Sequence, residues 1–325
     1  LQRLAQTNLE QTAGYGLDIY SDAAREKIRA ACRAPHAEVH FLTGGTQTNR
    51  TVISALLRPY EGVIAADSGH ITVHEAGAVE AGGHKVLALP HADGKLTARA
   101  VEICLRTFHE DANRDHMVRP GMVYLSQPTE YGTLYTRNEL EIISAVCRAN
   151  KIPLFLDGAR LAYALGCPAN DVTLAVIAHL CDAFSIGGTK CGALFGEAVV
   201  FPRPDTVPHF FTIVKQNGAL LAKGRVLGLQ FDTLFTDGLY ERGGAHGVAM
   251  ADRIRAALTA KDYRLAADAP TNQIFLTLNA AQLARLSEHV VMGFWEKRGE
   301  DETVMRIATS WATQEADVER LIAVL

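Results

Sequence analysis

The stretch Ile152–Gly192, IPLFLDGARLAYALGCPANDVTLAVIAHLCDAFSIGGTKCG, decides how the rest of the chain is read. It holds two short apolar runs, each ending in a polar cluster. Leu154–Leu156 runs into Asp157-Gly158-Ala159-Arg160, and Ala183–Ile186 runs into Gly187-Gly188-Thr189-Lys190. Between them, Val172–Leu180 has the length and apolarity of a helix. The pattern predicts a strand, helix, strand unit with an acid at the end of the first strand and a lysine at the end of the second. In an open parallel sheet, ligands bind at the carboxyl ends of the strands.

Taken singly, these two residues read as a turn aspartate and a surface lysine. Side by side at one sheet edge, they suit a pyridine-aldehyde cofactor. Pyridoxal phosphate needs an amine to hold its aldehyde and a carboxylate to keep its ring nitrogen protonated, so that the ring can accept electrons.

Upstream, the same alternation continues. Val39–Leu42 is a short strand ending in Thr43-Gly44-Gly45-Thr46, and a helix from Gln47 to Leu57 follows and stops before Pro59. Glycines at such a turn let a ligand approach the backbone, and the helix amides attract a phosphate. Gly62–Ala66 is the next strand and leads to His70, His74 and Glu75. The two histidines are four apart, but Gly69 and the β-branched Ile71, Thr72 and Val73 argue against a helix already running at His70. A metal site is therefore not expected, and His70 is placed to stack over a cofactor ring. Lys85–Leu89 and Met122–Leu125 are further strands, Thr97–Phe108 a helix, and His109–Arg119 a charged loop. A helix capped by Asn138 follows, and an earlier one, Ala23–Ala31, is capped at Ser21-Asp22. Tyr15 reads as an exposed loop aromatic. Strands and helices alternating every 25 to 30 residues or so predict a mostly parallel sheet with helices on both faces. Ala198–Phe201 adds a strand of reversed direction.

After Pro208 the texture changes. Phe210–Leu234 reads as a linking helix. Beyond it come a helix at Gly244–Leu258, strands at Gln273–Leu278 and Val304–Ile307, a helix near Ala280–Leu286, and a last helix from Glu315. The expected organisation is a cofactor-binding large domain over residues 1–238 and a small α+β domain over 239–325.

The 325 residues are 48% apolar and 21% charged, with a net charge of −4 and no basic run. That composition recommends neither nucleic acid nor an anionic membrane as a partner, and no apolar run approaches a membrane span. Six cysteines without CxxC spacing indicate neither zinc nor a disulfide framework, which makes the cytoplasm the expected setting. The chain opens at Leu1 with no charged-then-apolar leader, and its start reads as a trimmed terminus.

TGGTQTN at Thr43–Asn49, GHITVHEAGA at Gly69–Ala78, LDGARLA at Leu156–Ala162, GGTKCG at Gly187–Gly192 and VMRIATSW at Val304–Trp311 together resemble the pyridoxal-phosphate-dependent L-threonine aldolase family. The likeness spans nearly the whole chain and implies the aspartate-aminotransferase-like fold. It implies that Gly45 and Thr46 hold the phosphate, His70 stacks on the ring, Asp157 pairs with the ring nitrogen and Lys190 carries the cofactor. Arg160 and Arg306 would grip the substrate, with Arg306 on its α-carboxylate. Lys215 would reach the phosphate of a neighbouring subunit in a homodimer or homotetramer. The chain departs from the family pattern in three places. Glu130 stands where a second histidine is common and would sit at the substrate. A phosphate-reaching arginine is replaced near Ala222-Lys223, where Lys223 or Arg225 could substitute. An N-terminal serine of the family would lie before Leu1.

The implied reaction is cleavage of a β-hydroxy-α-amino acid, L-threonine or L-allo-threonine, to glycine and an aldehyde. The alternative on the same scaffold is a β-eliminating amino-acid lyase. A non-catalytic scaffold protein is disfavoured by the presence of Lys190, Asp157 and His70.

Overall fold

The computed structural model describes residues 1–325. Short aliphatic runs separated by glycine- and proline-containing turns form β1 (Glu38–Leu42), β2 (Glu61–Ala66), β3 (Val86–Leu89), β4 (Arg119–Ser126), β5 (Leu154–Asp157), β6 (Ala183–Gly187) and β7 (Glu197–Phe201). They make one seven-stranded sheet in the order β1-β7-β6-β5-β4-β2-β3. The pairs from β3 to β6 are all parallel, and β7 alone runs against its neighbours β6 and β1. Both β5 and β6 are buried along their whole length, so they read as unbroken apolar runs rather than as alternation.

Alternate residues of each strand feed two separate apolar layers. Leu125, Leu156 and Phe184 pack on one face with Ile28, Leu140 and Val101 from the helices Ile19–Cys32, Arg137–Asn150 and Ala98–Glu110. Tyr124, Phe155 and Ala183 pack on the other face with Val52 and Ile53 from the helix Gly45–Leu56. The fold is therefore mixed α/β, with helices on both faces of a mostly parallel sheet.

A second sheet, wholly antiparallel, follows: β8 (Arg264–Leu265), β9 (Gln273–Asn279), β10 (Gly293–Arg298) and β11 (Glu302–Ala308), in the order β10-β11-β9-β8. It has its own apolar cluster, in which Ile274, Leu276 and Ile307 meet Met250, Ile254 and Leu258 of the helix Leu239–Ala260, Leu286 of Ala280–Ser287 and Val318 of Glu315–Val324.

Several boundaries differ from the sequence expectation, each for a local reason. A four-residue helix does begin at His70 and ends at Val73, which brings the His70 and His74 rings to 5.9 Å. The helix after β4 is capped by Thr136, whose reciprocal bonds with Glu139 form a capping box, rather than by Asn138. Asp18, not Ser21-Asp22, caps Ile19–Cys32, accepting from the Tyr20 and Ser21 amides. The charged stretch from His109 is partly helical, because Ala98–Glu110 extends into its first two residues and Arg114–His116 forms a further turn. Phe210–Leu234 is not one helix: Phe210–Gln216 and Arg225–Leu234 are separated around Gly218, whose φ of +69° no helix tolerates. β8 and β10 were not expected. β10 is an edge strand with charged, exposed residues and so lacks an apolar signature.

Candidate active site

Asp157 ends β5 and is buried. Its Oδ2 accepts from Tyr124 Oη at 2.7 Å and Asn49 Nδ2 at 2.8 Å, and its Oδ1 accepts from the Ala159 amide at 2.8 Å. Burial by itself would push this carboxyl up. The bonds from Tyr124 and Asn49 are the largest effects that outweigh burial and hold it below its ordinary value. The site therefore keeps a buried carboxylate ionised.

Lys190 reaches the same place because two strand-end turns touch. A Cβ on Gly158 would lie 2.1 Å from the Ser185 carbonyl oxygen, and one on Gly187 would lie 2.3 Å from that of Ala159. Only glycines allow this approach, which the Gly187 amide closes by donating to the Gly158 carbonyl at 2.9 Å. The Lys190 ammonium makes no ion pair or hydrogen bond with the protein. Burial, followed by the like charge of Arg160, lowers its pKa, which favours the neutral amine that a nucleophile requires.

His70, Ser126, Glu130, Asp157, Arg160 and Lys190 line one cleft. They come from the carboxyl ends of β2, β4, β5 and β6, adjacent strands of the sheet. His70 donates its backbone N–H to Glu130 Oε1 at 2.9 Å, and its ring Nδ1 lies 2.8 Å from Glu75 Oε1. Glu130 also accepts from Ser126 Oγ at 2.7 Å. Its burial raises its carboxyl pKa against those two bonds.

Gly45 and Thr46 open the helix Gly45–Leu56, and a Cβ added at Gly44 or Gly45 would meet nothing within 4 Å. The first amides of that helix have no partner within it, which with the space beside Gly44 and Gly45 suits an anion. Arg306, on β11, donates to Gln273 Oε1 at 3.3 Å and lies with its guanidinium 5.6 Å from the centre of the Trp295 ring. Neither Arg160 nor Arg306 has a carboxylate partner. Burial and then the like charge of Arg160 lower the Arg306 pKa; Arg160 lines the cleft and Arg306 does not, but a guanidinium without a carboxylate partner is suited to bind one. Lys215 stands apart from the cleft, with its ammonium 4.8 Å from the centre of the Tyr15 ring. Tyr15 is therefore exposed, as expected, but engaged.

The donor set fits pyridoxal phosphate. An ionised carboxylate, an unpaired lysine of lowered pKa, a histidine beside them and an open helix N-terminus are the parts the cofactor requires. Sequence reasoning noted Glu75 beside the two histidines without a role and did not single out Asn49, Tyr124, Ser185 or Glu197. Their one signal was polarity inside apolar surroundings, as with Tyr124 and Ser185 within buried strands. Glu197, on β7, is buried, accepts from the Gly188 amide at 3.2 Å and is pushed up to about 8, chiefly by burial and by Asp157.

Comparison with known proteins points the same way. Residues 1–291 match the family model of the beta-eliminating lyases. The low specificity L-threonine aldolase of Pseudomonas sp. (strain NCIMB 10558) is 31% identical over 98% of this chain and 91% of its own length. The Pseudomonas aeruginosa protein of the same name is 32% identical over 98% and 90%. A solved structure of Leishmania major threonine aldolase superposes with a TM-score of 0.96 at 46% identity, covering 99% of this chain and 93% of that one. A Thermus thermophilus aspartate aminotransferase, 16% identical with a TM-score of 0.69 over 100% and 86%, shares the fold alone. With a cleft that draws on three of the five motifs, through His70, Asp157, Arg160 and Lys190, the chain belongs to the L-threonine aldolases of the beta-eliminating lyase family.

Proposed function

We propose that this protein is a carbon–carbon lyase that cleaves L-threonine or L-allo-threonine to glycine and an aldehyde with pyridoxal 5'-phosphate in the cleft. The observation that carries the reading is the convergence of ionised Asp157, unpaired Lys190 and His70 in that cleft. When bound, the cofactor supplies an electron sink for the bond broken at the substrate Cα.

The remaining roles fall to the chain's own residues. Lys190 would hold the cofactor through its aldehyde carbon, Asp157 would keep the ring nitrogen protonated, and His70 would lie against the ring. Gly45 and Thr46 offer amides to the phosphate. Arg306 grips the α-carboxylate with two parallel donors, with Arg160 beside it, and so selects which bond at Cα is aligned for cleavage. His70 takes the β-hydroxyl proton. Glu130 is the competing base, since its raised pKa and its place in the cleft suit proton transfer.

We further infer a homodimer or homotetramer in which Lys215 serves a neighbour's phosphate, and a cytoplasmic setting that suits six free cysteines. A light-scattering mass equal to one chain in an active preparation would refute the assembly.

The test of function is product analysis with L-threonine, L-allo-threonine and L-phenylserine. Glycine with an equal amount of aldehyde is expected. Keto acid and ammonia as the main products would assign the protein to the β-eliminating alternative.

A further inference from the structure

Glu75 has no place in the reading above, yet its side chain is fully buried and its Oε2 has no partner. Its Oε1 has two neighbours, the His70 Nδ1 at 2.8 Å and the Asn49 Nδ2 at 2.8 Å. The same Asn49 nitrogen donates to Asp157 Oδ2 at 2.8 Å. The chain of contacts is thus His70, Glu75, Asn49, Asp157, and all but the histidine are buried.

Two features settle where the protons lie. An amide set between two carboxylates must point its NH2 at both, because its oxygen would face two acceptors. Between a carboxyl and an imidazole the proton rests on the imidazole, by roughly two pKa units the stronger base. Glu75 therefore accepts from Nδ1–H, and the neutral ring is left with its lone pair on Nε2. That nitrogen makes no hydrogen bond to the protein, and the ring lines the cleft.

We propose that Glu75 is the positioning residue of this site. It fixes His70 in the Nδ1–H form and presents the Nε2 lone pair to the substrate β-hydroxyl. Asn49 keeps the two buried carboxylates apart by donating one hydrogen to each. The relation is that of any carboxylate that orients a histidine base from behind. The other titratable groups around the ring are His74, just past the same short helix, Glu130 after β4, Asp157 at the end of β5, Arg160 after it, and Lys190 after β6. Neither Glu130 nor Asp157 touches a ring nitrogen, and Glu75 does. The proposal rests on the aldolase reading for its substrate and on the local geometry for its tautomer, so the two can fail separately.

The experiment is nitrogen-15 NMR of the imidazole rings in the full-length protein as purified, with His70 assigned by its loss in His70→Asn. The wild-type ring should carry its proton on Nδ1. In Glu75→Gln, whose oxygen can still accept from both neighbours, the ring should keep its proton on Nδ1 and the enzyme most of its turnover. In Glu75→Leu, which accepts from neither, the ring should lose its preference for Nδ1, and kcat should fall roughly tenfold or more with KM little changed. A wild-type ring protonated on Nε2, or an unchanged kcat in Glu75→Leu, would overturn the proposal. If the variant does not fold, the wild-type tautomer alone decides. An Nδ1–H ring in an enzyme that releases no glycine would sink the aldolase reading and leave the tautomer assignment standing.

Discussion

Asp157 and Arg306 are both charged groups aimed at a small ligand, and they are held very differently. The aspartate, at the end of β5, takes three hydrogen bonds of 2.7 to 2.8 Å, two from buried side chains on β4 and the Gly45 helix and one from the amide of its own turn. The arginine, on the second sheet, has one bond of 3.3 Å to Gln273 and the face of Trp295, itself on an edge strand. A group that must stay ionised against a ring gains from a fixed, dry environment, because reorganisation there would cost part of the stabilisation. A group that must accept and release substrates gains from a looser seat.

The sharpest way to break this comparison is to remove the lysine at its centre. Lys190→Ala should lose the visible absorption band of the bound cofactor and nearly all turnover. Borohydride reduction followed by peptide mapping should label Lys190, and a label on another lysine would refute the assignment. Asp157→Asn keeps the shape and removes the charge. A charge-assisted bond is worth about 1.5–3 kcal/mol, so turnover should fall roughly ten- to hundredfold. Unchanged turnover would take the aspartate out of the mechanism.

The rigidity itself can be tested with glycines. Gly158→Ala would drive a methyl into the Ser185 carbonyl, whereas Gly293→Ala, on β10, meets nothing nearer than 3.7 Å. The first should cost about 1–3 kcal/mol in denaturant unfolding and the second almost nothing. Equal stabilities would mean that the turn crossing tolerates a side chain. On the looser side, Arg306→Lys should raise KM about tenfold through loss of the paired donors, with the cofactor spectrum intact. An unchanged KM would shift carboxylate binding to Arg160.

The smallest effect is expected at Glu197, whose folded pKa is raised to about 8. For an acid shifted upward, the folded state binds the proton more tightly than the unfolded chain. Its contribution is therefore favourable below the unfolded value near 4.5 and is lost as pH rises towards 8. Glu197→Gln should gain a few degrees of melting temperature, with the gain absent in acid and growing up to about pH 8. A gain independent of pH would show that folding does not raise the Glu197 pKa.

Much of this architecture was legible before any coordinates. Buried strands such as Leu154–Asp157 and Ala183–Gly187 must be apolar along their whole length, and strand-end turns need glycine. Both constraints are local, so both are written in the chain. The same holds for the acid and the lysine that end those strands, and for the glycines that open the Gly45 helix.

Tertiary structure alone decided the partners. Nothing in the spacing of Asn49, Glu75, Tyr124 and Asp157 says that they meet, because the contacts join residues from 26 to 108 positions apart. A buried polar group takes whichever complementary group the packing of the layers brings within about 3 Å, and no local periodicity encodes that choice. The edge strand β10 was hidden for a related reason. Exposed and charged, it has no apolar pattern, and it is a strand because β11 pairs with it; only that pairing sets Trp295 beside Arg306.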